Sequence, residues 1–390
     1  MKIAKLLTVV LILPFILTRG GIAETPAAGR EAIRAKIKGS VDRGLRYLKS
    51  LQVNHRWQIQ GKDDPGVTAL AVTAFLTSPR HYSAQDGPFI REGLDYLASL
   101  AKKDGGIYDR GLANYVTSIS VMALKASNDP KYAPLIERAG EFLKRLQCDE
   151  SEGYHEGDKF YGGAGYGGDE RPDLSNMNFW VEGLRATGVP SDDEAYKKAV
   201  VFLTRCQNYS ETNTSRWTDP HTGKVYVSGN DGGSAYYPGD SEAGFETTKD
   251  GTLIPRSYGS MTYALLKCYL FAGVPRDDAR MKAAMGWIRD HFTVDSNPGF
   301  DTSTDPEAGL QGLYYYFYSV ARALDTFGEE VIVDTDGVEH HWRDELAEKV
   351  ISLQREDGSW VNRKERWWEG IPSLATSYAV LTLNLCYESK

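Results

Sequence analysis

The sequence predicts an all-α protein in which six pairs of helices close into a double ring. Two observations carry that expectation. A unit of two helical segments joined by a Gly-containing polar turn recurs six times between residues 44 and 385. Within every unit the first segment is amphipathic, while the second is apolar or small nearly all round. An amphipathic helix keeps one face in water and an apolar helix is buried on most sides. Six of each therefore describe an outer six around an inner six, parallel within each ring.

The units follow in order. GLRYLKSLQ (44–52) precedes VTALAVTAFL (67–76), and GLDYLASLAKKDGGIY (93–108) precedes VTSISVMAL (116–124). GEFLKRLQ (140–147) leads to LSNMNFWVEGL (174–184), and VVFLTRCQ (200–207) leads to RSYGSMTYALLKCYL (256–270). MGWIRDHF (285–292) precedes LQGLYYYFYSVARAL (310–324), and AEKVISLQREDGSW (347–360) precedes IPSLATSYAVLTLNL (371–385). One domain over 40–388 is expected, after a linker at 24–39.

The first 23 residues read as a secretory signal peptide: Lys2 and Lys5, then LLTVVLILPFIL, then small residues ending in GIA. No later stretch approaches a spanning helix. The expected mature protein is exported, periplasmic or extracellular, with no transmembrane segment. Cleavage takes away Lys2, Lys5 and Arg19 and no acid, so the formal charge moves from −8 to −11. An acidic surface without basic blocks argues against nucleic acid as a partner. Cys148, Cys206, Cys268 and Cys386 are an even number in an exported chain, so disulfides stay open, although three of them sit in apolar helical runs and read as buried small hydrophobes. They lack paired metal-ligand spacing, and His340–His341 is a weak pair, so no metal and no cofactor are expected.

Parallel inner helices gather their N-termini on one rim. The segments 148–173, 208–255, 293–309 and 361–371 all lie between an outer helix and the inner helix after it, and so all decorate that rim. The opposite connections, such as ATGVPSDDEAY (186–196), look compact. Loops that grow on one face of a repeat fold mark its working face. Polar residues at helical spacing on the inner helices nominate a site: Arg256, Ser260 and Tyr263; Gln311, Tyr315 and Tyr318; Asn178 and Glu182 with Asp173 before them; and Trp368 with Glu369 before the last helix. Together they describe an aromatic, hydrogen-bonding cup. Arg256 is read at the first turn of a buried helix, where a cation opposes the dipole and needs something negative: Asp173, Glu369, a loop carboxylate or an anionic ligand.

The last unit carries a more specific signal. ISLQREDGSW (351–360) sets Gln354, Gly358 and Trp360 in an order that resembles the QW motif of the prenyltransferase and squalene-cyclase repeat family. DGGIY (104–108) resembles a degenerate copy, and Gln52 and Gln147 end their segments as partial ones. The resemblance spans roughly residues 40–388 and implies an α6/α6 toroid, in which the Gln ties its turn to a neighbouring helix and the Trp packs on it. It also implies a terpenoid-cyclase-like cavity for an isoprenoid-like ligand. The motifs of catalysis are missing, however. The chain has no D-x-D-D cluster, the nearest being DTDG (334–337) on the other rim. It has no Asp/Cys/His zinc set and no Cys–Gly–x–x–Gln run.

Whether the protein is an enzyme therefore stays open, as do its catalytic residues. Three functions remain: a toroid that binds, and in one version transforms, an apolar isoprenoid-like ligand; a non-catalytic binding or scaffold toroid; and a carbohydrate-active α/α-barrel enzyme. For the third, Asp173, Glu182, Asp231, Asp240, Asp301 and Glu369 are the rim carboxylates, since glycoside chemistry needs two of them across a cleft.

Overall fold

The structure is a computed structural model, and it describes residues 26–167 and 171–388. The signal peptide expected at 1–23 and the start of the expected linker lie outside these residues, as do 168–170 of the rim segment 148–173.

Among the described residues, twelve helices alternate between two rings. The inner six are α2 (Pro65–Leu76), α4 (Ala113–Ala126), α6 (Leu174–Thr187), α8 (Gly259–Phe271), α10 (Leu313–Phe327) and α12 (Pro372–Tyr387). Each packs on the next, and α12 packs back on α2, so the ring closes. The outer six are α1 (Pro26–Ser50), α3 (Pro88–Ser99), α5 (Ala133–Arg145), α7 (Glu194–Cys206), α9 (Ala279–Asp290) and α11 (Trp342–Ser352). Most of these sit in the groove between two inner helices, as α5 does between α4 and α6. The fold is an α6/α6 toroid.

Sequence explains the two ring positions. Along α5, Leu135, Ile136, Ala139, Phe142 and Leu143 are buried while Glu137, Arg138 and Glu141 face water. Along α6 every residue from Leu174 to Leu184 is buried. Helix α1 begins earlier than expected: residues 26–39 are helix rather than linker. The stripe Ile33, Ile37 and Val41 is buried, and α1 packs on α11 and α12, so the seam between the last unit and the first needs that added length.

A repeated device holds each outer helix to the next. Gln354 Nε2 donates to the carbonyls of Ser40 in α1 and of Gly358, both at 3.0 Å. Gln147 does the same to Ala195 in α7 and to Gly162, and Gln207 to Arg280 in α9 and to Gly232. Gln52 reaches Phe89 in α3. The glycine of the turn lies against the neighbouring outer helix: at Gly162 (φ +83°) an added Cβ would stand 1.9 Å from the Lys198 carbonyl oxygen. Only a residue without a side chain fits there. Trp360 is fully buried, donates Nε1–H to the Val350 carbonyl at 2.7 Å and packs on Gly44 of α1. Trp57 makes the matching bond to Leu48. The seam is also stitched by Asn384, which donates to Ala74 O and Thr77 Oγ1, both at 3.0 Å.

The strands are all peripheral. A hairpin of β1 (Gln58–Ile59) and β2 (Lys62–Asp63) precedes α2. The long segment before α8 folds into a small sheet of β3 (Arg216–Thr218), β4 (Val225–Val227), β5 (Phe245–Thr247) and β6 (Leu253–Pro255), in the order β3-β4-β6-β5. On the opposite rim a hairpin of β7 (Ile332–Val333) and β8 (Glu339–His340) joins α10 to α11. That rim is therefore less uniformly compact than the sequence suggested. The DTDG run forms the hairpin's turn, with Asp334 accepting from the Val338 amide at 2.8 Å.

Two inner helices start later than expected. Gly312 takes the left-handed region (φ +63°), so Gln311 precedes α10. Arg256 follows β6 and donates its backbone N–H to Gly244, which ties it to the sheet and not to the first turn of α8.

Candidate functional site

Where the N-terminal ends of the inner helices meet the rim loops, the ring encloses a chamber of about 590 Å³. The helices supply its apolar wall: Val67 and Leu70 from α2, Val116 and Ile119 from α4, Phe179 from α6, Met261 from α8 and Leu374 from α12. Aromatic residues close the remainder, with Tyr315 and Tyr378 from the helices and Tyr166, Tyr236, Tyr258, Trp367 and Trp368 from the rim. A second space of about 440 Å³ shares Ile59, Trp367 and Trp368 with the chamber and forms its mouth. Trp367 (φ +58°) and Trp368 (φ +69°) both hold left-handed backbone, which costs a bulky residue about 1–3 kcal/mol each. Trp367 is held there against Gly312 and under the Arg366 guanidinium, whereas Trp368 is 63% exposed. Arg366 also bonds Glu242 and Gln311 Oε1, pinning three rim segments together across the mouth.

The nominated residues divide by position. Ser260, Tyr315, Trp368 and Glu369 line the chamber. Asn178 stands behind the wall and donates Nδ2–H to the Tyr315 hydroxyl at 2.9 Å, while its buried Oδ1 has no partner among the described residues. Asp173 caps α6, accepting from the Asn176 amide at 2.9 Å, from Asn176 Nδ2 at 2.9 Å and from Ser175 Oγ at 2.7 Å. Tyr318 packs on Tyr378 with ring centroids 5.8 Å apart. Tyr263 is buried in edge contact with Tyr316, away from the chamber. Gln311 stays at the mouth with Arg366. Arg256 finds a loop acid, Glu246, at 3.6 Å, and does not reach the chamber.

Glu182 does not line the chamber either. It lies about one helical turn deeper than Phe179 and joins Lys267 and Arg322, each at 2.5 Å, in a buried ion cluster. Burial alone would raise its pKa, but the Arg322 and Lys267 charges outweigh that and hold it at about 2. The cluster lies deeper in the ring than the apolar space and none of its three members lines it.

Glu369 is the most unusual group in the wall. It is 1% exposed, accepts from the Tyr315 amide at 2.8 Å and from Asn362 Nδ2 at 2.7 Å, and so caps α10 from a distance. Those bonds favour its charge, yet burial against aromatic rings dominates and raises its pKa to about 7. No charged donor bonds its carboxyl among the described residues. Of the six carboxylates nominated for sugar chemistry, Glu369 alone lines this chamber; Asp301 bonds within its own loop, and Asp231 bonds Ser257 and the Gly233 amide.

Sequence reasoning missed the loop tyrosines. Tyr166 and Tyr236 come from YGGAGYGG and SAYYPGD, whose Tyr-among-Gly composition marks ordered loops but not their path. Two backbone bonds set the path: Asn114 N–H to Tyr166 O at 3.0 Å and Leu174 N–H to Tyr236 O at 2.9 Å, each filling an unsatisfied donor at an inner helix start.

All four cysteines are buried free thiols. Among the described residues no group of three or more His, Cys, Asp or Glu side chains is placed to hold a metal ion, and no helix is long and apolar enough to cross a membrane.

Residues 61–229 match the squalene-hopene cyclase C-terminal domain family. No curated protein matches the chain significantly. Among solved structures, a protein from Actinoplanes is 15% identical over 90% of this chain and 99% of its own, with a TM-score of 0.46. The type II terpene cyclase MstE from Scytonema, in complex with merosterolic acid A, is 12% identical over 92% of this chain and 98% of its own, with a TM-score of 0.36. The same cyclase with geranylgeranyl dihydroxybenzoate is 11% identical over 92% and 99%, with a TM-score of 0.34.

Proposed function

We propose that this squalene-cyclase-like toroid binds an apolar, isoprenoid-like ligand in its rim chamber, after export from the cell. The single observation that supports the reading most is the chamber itself: about 590 Å³, walled by aliphatic and aromatic side chains, within the usual range of small-molecule sites. A scaffold has no use for an enclosed apolar space beside its loops. A sugar-cleaving enzyme needs paired carboxylates there; besides Glu369 the wall holds Asp64 and Glu242, but Asp64 caps α2 and Glu242 bonds Arg366.

A second version, in which the ligand is also transformed, is favoured by Glu369. A carboxyl with a pKa of about 7 is still about half protonated in neutral solution and faces π-rich walls that stabilise nearby positive charge. That pairing suits proton donation to a carbon–carbon double bond.

Solvent extraction of the purified mature protein, followed by mass spectrometry, tests the binding. The expected result is an apolar molecule recovered from the wild type and depleted in Met261→Trp, whose indole intrudes into the chamber. A wild type that is always recovered empty, and takes up no prenyl compound, contradicts the reading. Intact mass should place the mature N-terminus at Glu24.

A further inference from the structure

The chamber wall is mostly apolar on the sides of α2, α4, α8 and α12, and in one patch three hydroxyls stand close together. Ser175 at the start of α6, Tyr236 from the fourth unit's rim segment and Tyr166 from the third all line it. Their hydrogen bonds have a direction. Asp173 accepts from three donors, one of them Ser175 Oγ at 2.7 Å, so the serine's only proton points at the carboxylate. Ser175 Oγ can then only accept from Tyr236, whose hydroxyl lies at 3.3 Å. The Tyr236 proton is thereby directed toward Ser175, the nearer of its two hydroxyl neighbours, across a long bond. Its oxygen faces Tyr166 across 3.5 Å, longer than the usual 2.7–2.8 Å for two hydroxyls. Tyr166 is fixed in place by stacking on Tyr115, with ring centroids 5.7 Å apart and planes at 13°. Burial pushes both phenols above their ordinary pKa, so both stay neutral.

The end of this relay is therefore unfinished. Tyr236 Oη keeps a lone pair with no donor nearer than Tyr166 at 3.5 Å, and the Tyr166 proton has only poorly placed acceptors, Tyr236 at that distance and Ser175 beside it. A hydroxyl group placed within reach of both completes it, giving its own proton to Tyr236 and taking the Tyr166 proton on its oxygen. An ether or ketone accepts only, and a hydrocarbon does neither while excluding water from the patch.

The geometry points to a ligand with a hydroxyl at one end of its apolar body, anchored where Tyr166, Tyr236 and Ser175 converge. This rests on the reading of the chamber as an apolar-ligand site. Buried polar groups left without partners discriminate strongly between analogues that do and do not satisfy them.

Calorimetric titration of the mature protein with farnesol, farnesyl methyl ether and farnesene tests the assignment. Farnesol is expected to bind roughly tenfold more tightly than farnesene, the gain of one well-made hydrogen bond, with the ether between them. Tyr236→Phe, which keeps the ring in the wall but removes the acceptor, should bring farnesol down to the affinity of its methyl ether. Ser175→Ala, which frees the Tyr236 proton to donate to a ligand oxygen, should raise the ether toward the alcohol and so close the same gap, and serves as the readout if the phenylalanine variant fails to fold. Equal wild-type affinities for farnesol and farnesene, or an advantage of the alcohol over its ether that survives both variants, would overturn the hydroxyl anchor and leave the apolar chamber standing. If none of the three compounds binds, the chamber reading and the anchor fall together.

Discussion

Glu369→Gln separates the burial of a carboxyl from the burial of its shape. In the folded chain Glu369 has its pKa raised from 4.5 to about 7 by burial. A pKa difference of one corresponds to about 1.4 kcal/mol between the two protonation states, so ionising Glu369 in place costs the fold about 3 kcal/mol. Because the folded pKa lies above the unfolded one, this stability is fully present below pH 4.5 and is lost as pH rises through 7. Glutamine has no proton to lose. Its amide places a donor beside Asn362 or the Tyr315 amide, but that cost does not change with pH. Urea unfolding of both proteins between pH 4.5 and 8 should show the stability difference moving toward the variant by about 3 kcal/mol, most of it between pH 5 and 7. Curves that stay parallel across that range would refute the claim that Glu369 sits protonated in the chamber wall.

Two further substitutions test the frame around the chamber. Glu182→Gln strands Lys267, only 2% exposed, beside Arg322, and should cost about 3–5 kcal/mol in urea unfolding, with part of the loss recovered by adding Lys267→Met. Because the Glu182 pKa is held down to about 2, the cluster's contribution is present above pH 4.5 and should fade in the wild type only as pH falls toward 2. Gly162→Ala and Gly153→Ala have nearly the same backbone angle, φ +83° and +82°, but an added methyl meets the Lys198 carbonyl at the first and open space at the second. By thermal melting, the Gly153 variant should lose about 1 kcal/mol and the Gly162 variant several times more.

The architecture was legible because it is periodic. A stripe such as Leu135, Phe142 and Leu143 against charged neighbours, followed by the unbroken apolar or small run of an inner helix, needs no knowledge of loops to be assigned to a ring. The side chains at chamber depth were half legible. Tyr315 and Ser260 face the axis by helical spacing alone, but the same spacing also nominated Glu182, one turn further down, where Lys267 and Arg322 claim it. A lysine inside LLKCYL, on a helix read as buried, was the visible sign that a buried anion had to exist. Arg256 was misplaced because Ser257 and Tyr258 extend the chain from the sheet before α8 begins. The loop tyrosines were beyond reach for a different reason. Their positions follow from single long-range bonds to helix starts, which leave no periodic trace.

The most direct test is a crystal structure of the protein grown with a bromine-substituted farnesol, with anomalous scattering used to place the bromine. The account predicts one strong peak inside the ring, among Leu70, Phe179 and Tyr378 and above the Glu182 cluster. A peak on the outer helices or in the β-sheet of the fourth unit, with the chamber empty, would contradict it.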